Sequence, residues 1–192
     1  TAVSVVLGTL LGVGLARGRF PGKRLLETVL DIPVVVSDLV VAVALVTFYA
    51  AVRGLTGGPE LGFTTVVLSH VTFQIPFVAL VVRARAAGLD PRLEEAAADL
   101  GASPLRTALR VTLPLLGPGI LSAALLAFTL SIDDFVVTFF TAGPGSTTLP
   151  VLIYASVKRG ITPEINAAST VLVVLSLVLT TASLAMQRSN RR

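Results

Sequence analysis

Apolar positions in this chain gather into five long runs separated by polar intervals: Thr1–Ala16, about Val29–Val52, Gly62–Val82, about Leu115–Phe140 and Ala167–Met186. A helix needs roughly 20 apolar residues to cross a bilayer core of ~30 Å, and four of the runs meet that length. The first is short. The pattern predicts an all-α, polytopic transmembrane helix bundle with five spans. Asp31, Pro33 and Asp38 sit near the start of the second run, His70, Gln74 and Pro76 inside the third, and Asp133 and Asp134 toward the end of the fourth.

Composition agrees with this pattern. Hydrophobic residues make up 54% of the 192 and charged residues 14%, and the mean hydropathy is +0.88. A soluble domain of this size needs far more polar surface. There is no cysteine, which excludes disulfides and thiolate metal sites, and the only histidine is His70. A hydrolase would have to be built on that one ring inside an apolar run, so no catalytic residue and no metal site are expected. The net charge of +4 and the pI near 10.3 do not indicate nucleic acid, because the basic residues form no stripe and sit at the ends of the apolar runs.

That placement predicts topology. If the five runs alternate sides, one side receives Arg17, Arg19, Lys23 and Arg24, then Arg83, Arg85, Arg92, Arg106 and Arg110, then Arg188, Arg191 and Arg192. The other receives only Arg53, Lys158 and Arg159. Positive charge accumulates on the cytoplasmic side. The C-terminus and the Arg83–Arg110 loop are therefore expected inside and Thr1 outside. An outside start without a leader predicts one more helix upstream of Thr1, six in all.

The loop between the third and fourth runs carries helix signals of its own. Asp90-Pro91 is a helix start, with Glu94 and Glu95 early, where the helix dipole favours them. Leu93, Ala97 and Leu100 fall on one face, and Gly101 offers a stop. Ser103-Pro104 starts a second short helix expected to reach about Thr112. Pro114 and Pro118 are expected to break the chain before the fourth span. Pro33, Pro76 and Pro118 are expected to kink or break their helices.

Glu95-Ala96-Ala97, three residues, Gly101, nine residues, Val111, one residue and Leu113-Pro114 together resemble the EAA loop of bacterial ABC importer permeases. The loop and its inferred side of the membrane agree with that family. The resemblance implies a MetI-like transmembrane domain over residues 1–192 with its first span missing, and a coupling loop at 83–114. It also implies that Glu95, Ala96, Ala97, Gly101, Leu113 and Pro114 meet a cytoplasmic ATPase subunit, as a helix held in a groove. Ser131-Ile132-Asp133-Asp134-Phe135-Val136-Val137, Gly143-Pro144, Leu149-Pro150, Ile153-Tyr154, Pro163-Glu164-Ile165-Asn166-Ala167 and Ser69-His70-Val71-Thr72-Phe73 are similar to the second permease subunits of spermidine/putrescine importers. Permeases of this kind also serve other solutes, such as ferric iron or thiamine.

The resemblance implies a bacterial cytoplasmic-membrane complex. Its members would be a second permease, two ATPase subunits and an external solute-binding protein, with ATP and Mg on the ATPases and no nucleic acid. The chain has no G-x-x-x-x-G-K-[ST] sequence with which to bind ATP itself. A secondary transporter is the rival from another class, but an ion-driven carrier has no use for an EAA loop.

The polar residues in the apolar runs bear on the solute. A charge at mid-membrane costs about 2.5–3.5 kcal/mol on insertion scales, so it faces the bundle or a wet cavity. Asp38, Asp133, Asp134, His70 and Gln74, with Glu164 outside, are the path candidates. No Lys or Arg lies within an apolar run, and an acidic path suits a cation and disfavours sulfate, phosphate or molybdate. Each candidate also has a plainer role. Asp133 and Asp134 lie 18 and 19 residues beyond Leu115, roughly 27 Å along a helix, where a carboxylate can sit hydrated at the outer interface. Asp38 can cap its helix or pair with another subunit. His70 and Gln74 lie four apart and suit interhelical hydrogen bonds. Tyr154 belongs either to a short outer helix over the pore or to the interfacial aromatics.

Overall fold

The structure is a computed structural model. It describes residues 1–157 and 163–189, with side chains described as far as Ala182. Lys158, Arg159, Arg191, Arg192 and the side chain of Arg188 lie outside that description, and with them part of the charge pattern expected to set topology. Among the described residues all regular structure is helical. The helices are α1 (Ala2–Arg17), α2 (Lys23–Val35), α3 (Asp38–Thr56), α4 (Phe63–Ala87), α5 (Arg92–Asp99), α6 (Pro104–Thr107), α7 (Leu113–Ile132), α8 (Val136–Thr141), α9 (Leu149–Val157) and α10 (Pro163–Ser189). A π turn, Ala108–Thr112, joins α6 to α7. Four stretches are long and apolar enough to cross a membrane: Asp38–Thr56, Phe63–Ala87, Pro104–Ile132 and Pro163–Ala182. Helix α1 is apolar but has 16 residues.

Helix α4 is the axis of the bundle. Half of its most apolar stretch is buried, against none of the corresponding stretch of α10. Val78, Val82 and Ala86 of α4 form one core with Leu116, Ala123 and Ala127 of α7. Phe73 forms a second core with Ala42 of α3 and Val137 of α8. Tyr49 on α3 shares a buried hydrogen bond of 3.0 Å with Ser69 on α4.

Helix α1 lies along α4 through a stripe of small residues spaced four apart, Ser4, Gly8 and Gly12. Lipid tails supply no hydrophobic drive between spans, so close backbone approach takes its place. A Cβ on Gly8 would lie 2.6 Å from the Val78 side chain, and one on Gly12 would lie 2.8 Å from the Ala79 carbonyl oxygen. Ser4 Oγ donates to Gln74 Oε1 at 2.9 Å. Gly12→Leu should therefore push α1 off α4 and cost at least the roughly 1–3 kcal/mol of ordinary overpacking. Gly14→Leu, on a face with nothing within 4 Å, should be silent. Thermal melts of the purified variants distinguish them, and equal melting would refute the packing.

A break near Pro33, as its position in the sequence leads one to expect, divides the second apolar run into α2 and α3, while two other expectations are corrected. Pro33 lies inside the last turn of α2, and the backbone turns extended just beyond that turn, at Val36 (ψ 145°) and Ser37 (ψ 140°). Helix α3 then starts afresh at Asp38. The fourth run is also two helices, because α7 stops at Ile132 and Asp133 and Asp134 occupy the bend before α8. The expected break at Pro114 and Pro118 does not occur. The helix runs without interruption from Pro104 to Ile132, 29 residues or roughly 43 Å. The π turn just before Pro114 lets the hydrogen-bond ladder skip a residue where proline has no N–H to give. Helix α4 likewise runs through Pro76, as membrane helices tolerate.

Candidate functional site

The Arg83–Pro114 loop folds by local signals. Asp90 Oδ1 accepts the Arg92 N–H at 3.0 Å and opens α5. Gly101, at φ +78°, closes it. The Ala102 N–H donates to Ala97 O at 3.0 Å and the Gly101 N–H to Ala98 O at 2.8 Å, the paired bonds of a left-handed helix stop. A Cβ on Gly101 would meet nothing within 4 Å, so glycine is needed there for its backbone angle and not for space. Ser103 Oγ then accepts the Arg106 N–H at 3.4 Å to start α6.

Orientation sorts the loop residues. Glu95, Ala96 and Gly101 are exposed, as are Leu113 and Pro114 at the start of α7, while Ala97 and Glu94 are half-buried toward the bundle. Leu93 and Leu100, expected to share a face with Ala97, are exposed at 45% and 88%. Leu105 and Leu109 are exposed as well. The loop thus presents an apolar patch that no described residue of this chain covers, bordered by the carboxylate of Glu95. Behind α5 lies a cavity of about 420 Å³ lined by Val13, Arg17, Glu94, Ala98, Thr107 and Thr112.

At the far end of α7 the bend at Asp133-Asp134 is fastened from inside. Asp134 Oδ2 accepts the Thr138 N–H at 2.8 Å and the Thr138 hydroxyl at 2.7 Å, and Oδ1 accepts the Val137 N–H at 3.3 Å. The carboxylate therefore caps α8. It also lies 3.3 Å from His70 Nε2 on α4, with side chains only 8% and 12% exposed. His70 Nε2 is 2.8 Å from Thr138 Oγ1 and Nδ1 is 2.9 Å from Ser131 Oγ. The single hydroxyl proton of Thr138 goes to Asp134, so Nε2 must carry the proton facing Thr138. In the neutral ring, Nδ1 accepts from Ser131. Asp133, its sequence neighbour, is exposed. Tyr154 of α9 closes over the bend, its ring 4.7 Å from that of Phe135.

The remaining candidates are dispersed. Gln74 faces α1 while His70 faces α7 and α8, so their spacing of four does not put them in one site. Gln74 is 1% exposed, and its Nε2 has no hydrogen-bond partner among the described residues. Asp38 is exposed at the start of α3, and Glu164 is exposed in the first turn of α10.

Sequence reasoning missed Ser131 and Thr138 as partners of His70, the Gly8/Gly12 stripe, and the tie between Glu94 and Arg17. The glycine stripe was readable as G-x-x-x-G in an apolar run. The other contacts join residues far apart in the chain and leave no local signal.

Comparison with known proteins places this geometry. Over 171 residues the chain is 43% identical to the putrescine transport system permease protein PotI of Escherichia coli K12, which covers 88% of this chain and 61% of that protein. Over 189 residues it is 40% identical to the spermidine/putrescine transport system permease protein PotC of the same organism, covering 98% of this chain and 70% of that protein. The chain thus spans less than two thirds of the length of the first of these relatives. Among solved structures, the inward-facing MetNI methionine ABC transporter superposes with a TM-score of 0.76 at 21% identity, over all of this chain and 89% of that one. A bacterial ABC transporter that imports the acidic polysaccharide alginate gives 0.69 at 19% identity, over 98% and 76%. At these identities the two structures speak for the fold alone. Residues 4–192, from the Ser4 end of α1 through the loop and the α7–α8 bend to the C-terminal helix, match one sequence family, and the chain belongs to it: the inner membrane components of binding-protein-dependent transport systems.

Proposed function

We propose that this chain is a permease subunit of an ATP-driven importer and forms part of the path by which polyamines such as spermidine and putrescine cross the bacterial cytoplasmic membrane. The observation that carries this reading is the 40–43% identity to polyamine permeases over 88–98% of the chain. Fold alone does not fix the solute, since an alginate importer shares it. The exposed carboxylate of Asp133 at the end of α7 favours a cation there.

In this reading the chain works beside a second permease, two ATPase subunits that hold ATP and Mg, and an external solute-binding protein. The exposed face of α5 and α6 docks in an ATPase cleft. Leu93, Leu100 and Leu105 supply the apolar contact, Ala96 the close approach, and Glu95 the charge. Closure of the ATPase dimer then moves α7 as a rigid body, because α6, the π turn and α7 are one continuous rod. The bend at Asp133-Asp134 travels with it, and the path alternates between facing out and facing in. The loop and the C-terminus lie in the cytoplasm.

The test is the ATPase activity of the reconstituted complex with binding proteins loaded with spermidine, putrescine, ferric iron, thiamine or sulfate. Stimulation by polyamines alone is the expected result. Stimulation by another solute keeps the importer and discards the polyamine. Absence of any associated ATPase discards both. Gly101→Val probes the coupling contact separately. A β-branched residue at φ +78° costs more than the roughly 1–2 kcal/mol of an ordinary left-handed residue, and it re-aims α5. Uptake should fall to background while solute capture by the external protein is unchanged, and unchanged uptake would remove the coupling role.

A further inference from the structure

One carboxylate on the inner face of the coupling helix joins that helix to two spans. Glu94 Oε1 lies 3.3 Å from Arg17 Nε at the end of α1 and accepts the Thr112 hydroxyl at 3.0 Å from the π turn that leads into α7. Arg17 also reaches the turn between α4 and α5, where its Nη2 donates to Leu89 O at 3.3 Å. Thr112 is buried, and Arg17 and Glu94 keep only 24% and 29% of their side chains exposed. These contacts tie α5 and the turn before it to the bundle. Much of the space behind α5 is the ~420 Å³ cavity, so packing alone holds the helix loosely.

We propose that Glu94 and Arg17 are positioning residues that transmit displacement of the coupling helix into α1 as well as into α7. Glu95, the glutamate of the recognised motif, points outward and serves docking. Glu94 points inward and serves transmission. Helix α1 is suited to receive the push, because Gly8 and Gly12 seat its backbone directly on α4 and it arrives at its far end at the Ser4–Gln74 hydrogen bond. A loop that moved only α7 would shear α7 against α4. Coupling α1 to the same carboxylate moves both flanks of α4 together.

This inference rests on the importer reading, and its test separates the two. The chain has no cysteine, so Val3→Cys, at an exposed position near the start of α1, gives a single site for a spin label in a complex assembled with cysteine-free partners. ATP should change the mobility of that label. Glu94→Gln and Arg17→Gln should each abolish the change and lower solute-stimulated ATP hydrolysis about tenfold, in the range of site-to-site coupling. ATPase subunits should still co-purify, and basal hydrolysis should persist. The double variant should be no worse than Arg17→Gln alone, since that change already removes the Glu94–Arg17 pair, and Arg17→Lys should retain most of the response. A label that still responds to ATP in both glutamine variants overturns the proposal. So does a label that never responds while ATP is hydrolysed. Failure of any ATPase to co-purify with the unsubstituted chain overturns the importer reading and this inference with it.

Discussion

Gly143→Ala is expected to yield a chain that does not assemble into a stable complex. The Cβ would lie 1.8 Å from the Leu61 carbonyl oxygen, 2.4 Å from its carbon and 3.0 Å from the Gly62 nitrogen. All three are backbone atoms, so no rotamer can relieve the clash. Retreat is blocked on both sides. The turn after α8 is closed by Ser146, whose Oγ accepts the Gly143 N–H at 2.8 Å and donates to Gly143 O at 2.7 Å. The start of α4 is tied to the same turn by Thr65, whose buried hydroxyl donates to Thr141 O at 2.8 Å. Moving the turn away would break that bond and shift Val137 in the core it shares with Phe73 and Ala42. The cost should exceed the roughly 1–3 kcal/mol of overpacking against side chains. Gly145→Ala is the control. It sits at φ +77° in open space, so it should cost only about 1–2 kcal/mol of backbone strain. Size-exclusion profiles and thermal melts read the difference. If Gly143→Ala melts with the unsubstituted chain while Gly145→Ala falls, the close approach to Leu61 is wrong.

The helix boundaries of the loop between α4 and α7 were legible in the sequence because their signals are local. Asp90 opens α5, Gly101 closes it and Ser103 opens α6, each acting on backbone within a few positions. The spans were legible as lengths, because hydropathy alone decides whether a segment reaches across ~30 Å. Breaks inside apolar runs were harder. Val34-Val35-Val36 leads into the first bend and Phe135-Val136-Val137 leads out of the second, so hydropathy averaged over a span runs on across both. The usable signal was polar and small: Ser37-Asp38 as a fresh start, and Asp134 four residues before Thr138 as a cap. At Pro114 the error ran the other way. Proline read as a stop, while the π turn ahead of it absorbed the missing N–H and left one rod from α6 through α7. Contacts that join the helices, Arg17 with Glu94 and His70 with Asp134, depend on which faces meet after packing. No spacing encodes that.

Adjacent Asp133 and Asp134 should respond to substitution in opposite ways. Asp134 is structural: it caps α8 through two backbone N–H groups, accepts the Thr138 hydroxyl and faces His70 across a buried gap. Asp134→Ala removes all of these at once. Losing the cap costs about 1 kcal/mol, and leaving buried donors unpaired adds about 1–3 kcal/mol. The purified complex should melt lower and transport should fall because the bend is no longer held. His70→Ala should reproduce part of that loss, because it removes the α4 side of the same network. Asp133 is exposed, and Asp133→Asn keeps nearly the same shape. It should leave the melt unchanged and reduce polyamine uptake about tenfold or more, the worth of one hydrogen bond between charged groups. Full uptake with Asp133→Asn would take that carboxylate off the path. An unchanged melt with Asp134→Ala would mean that α8 is held some other way. If both behave as expected, the buried carboxylate fixes the angle between α7 and α8, and that angle sets where its exposed neighbour meets the cation.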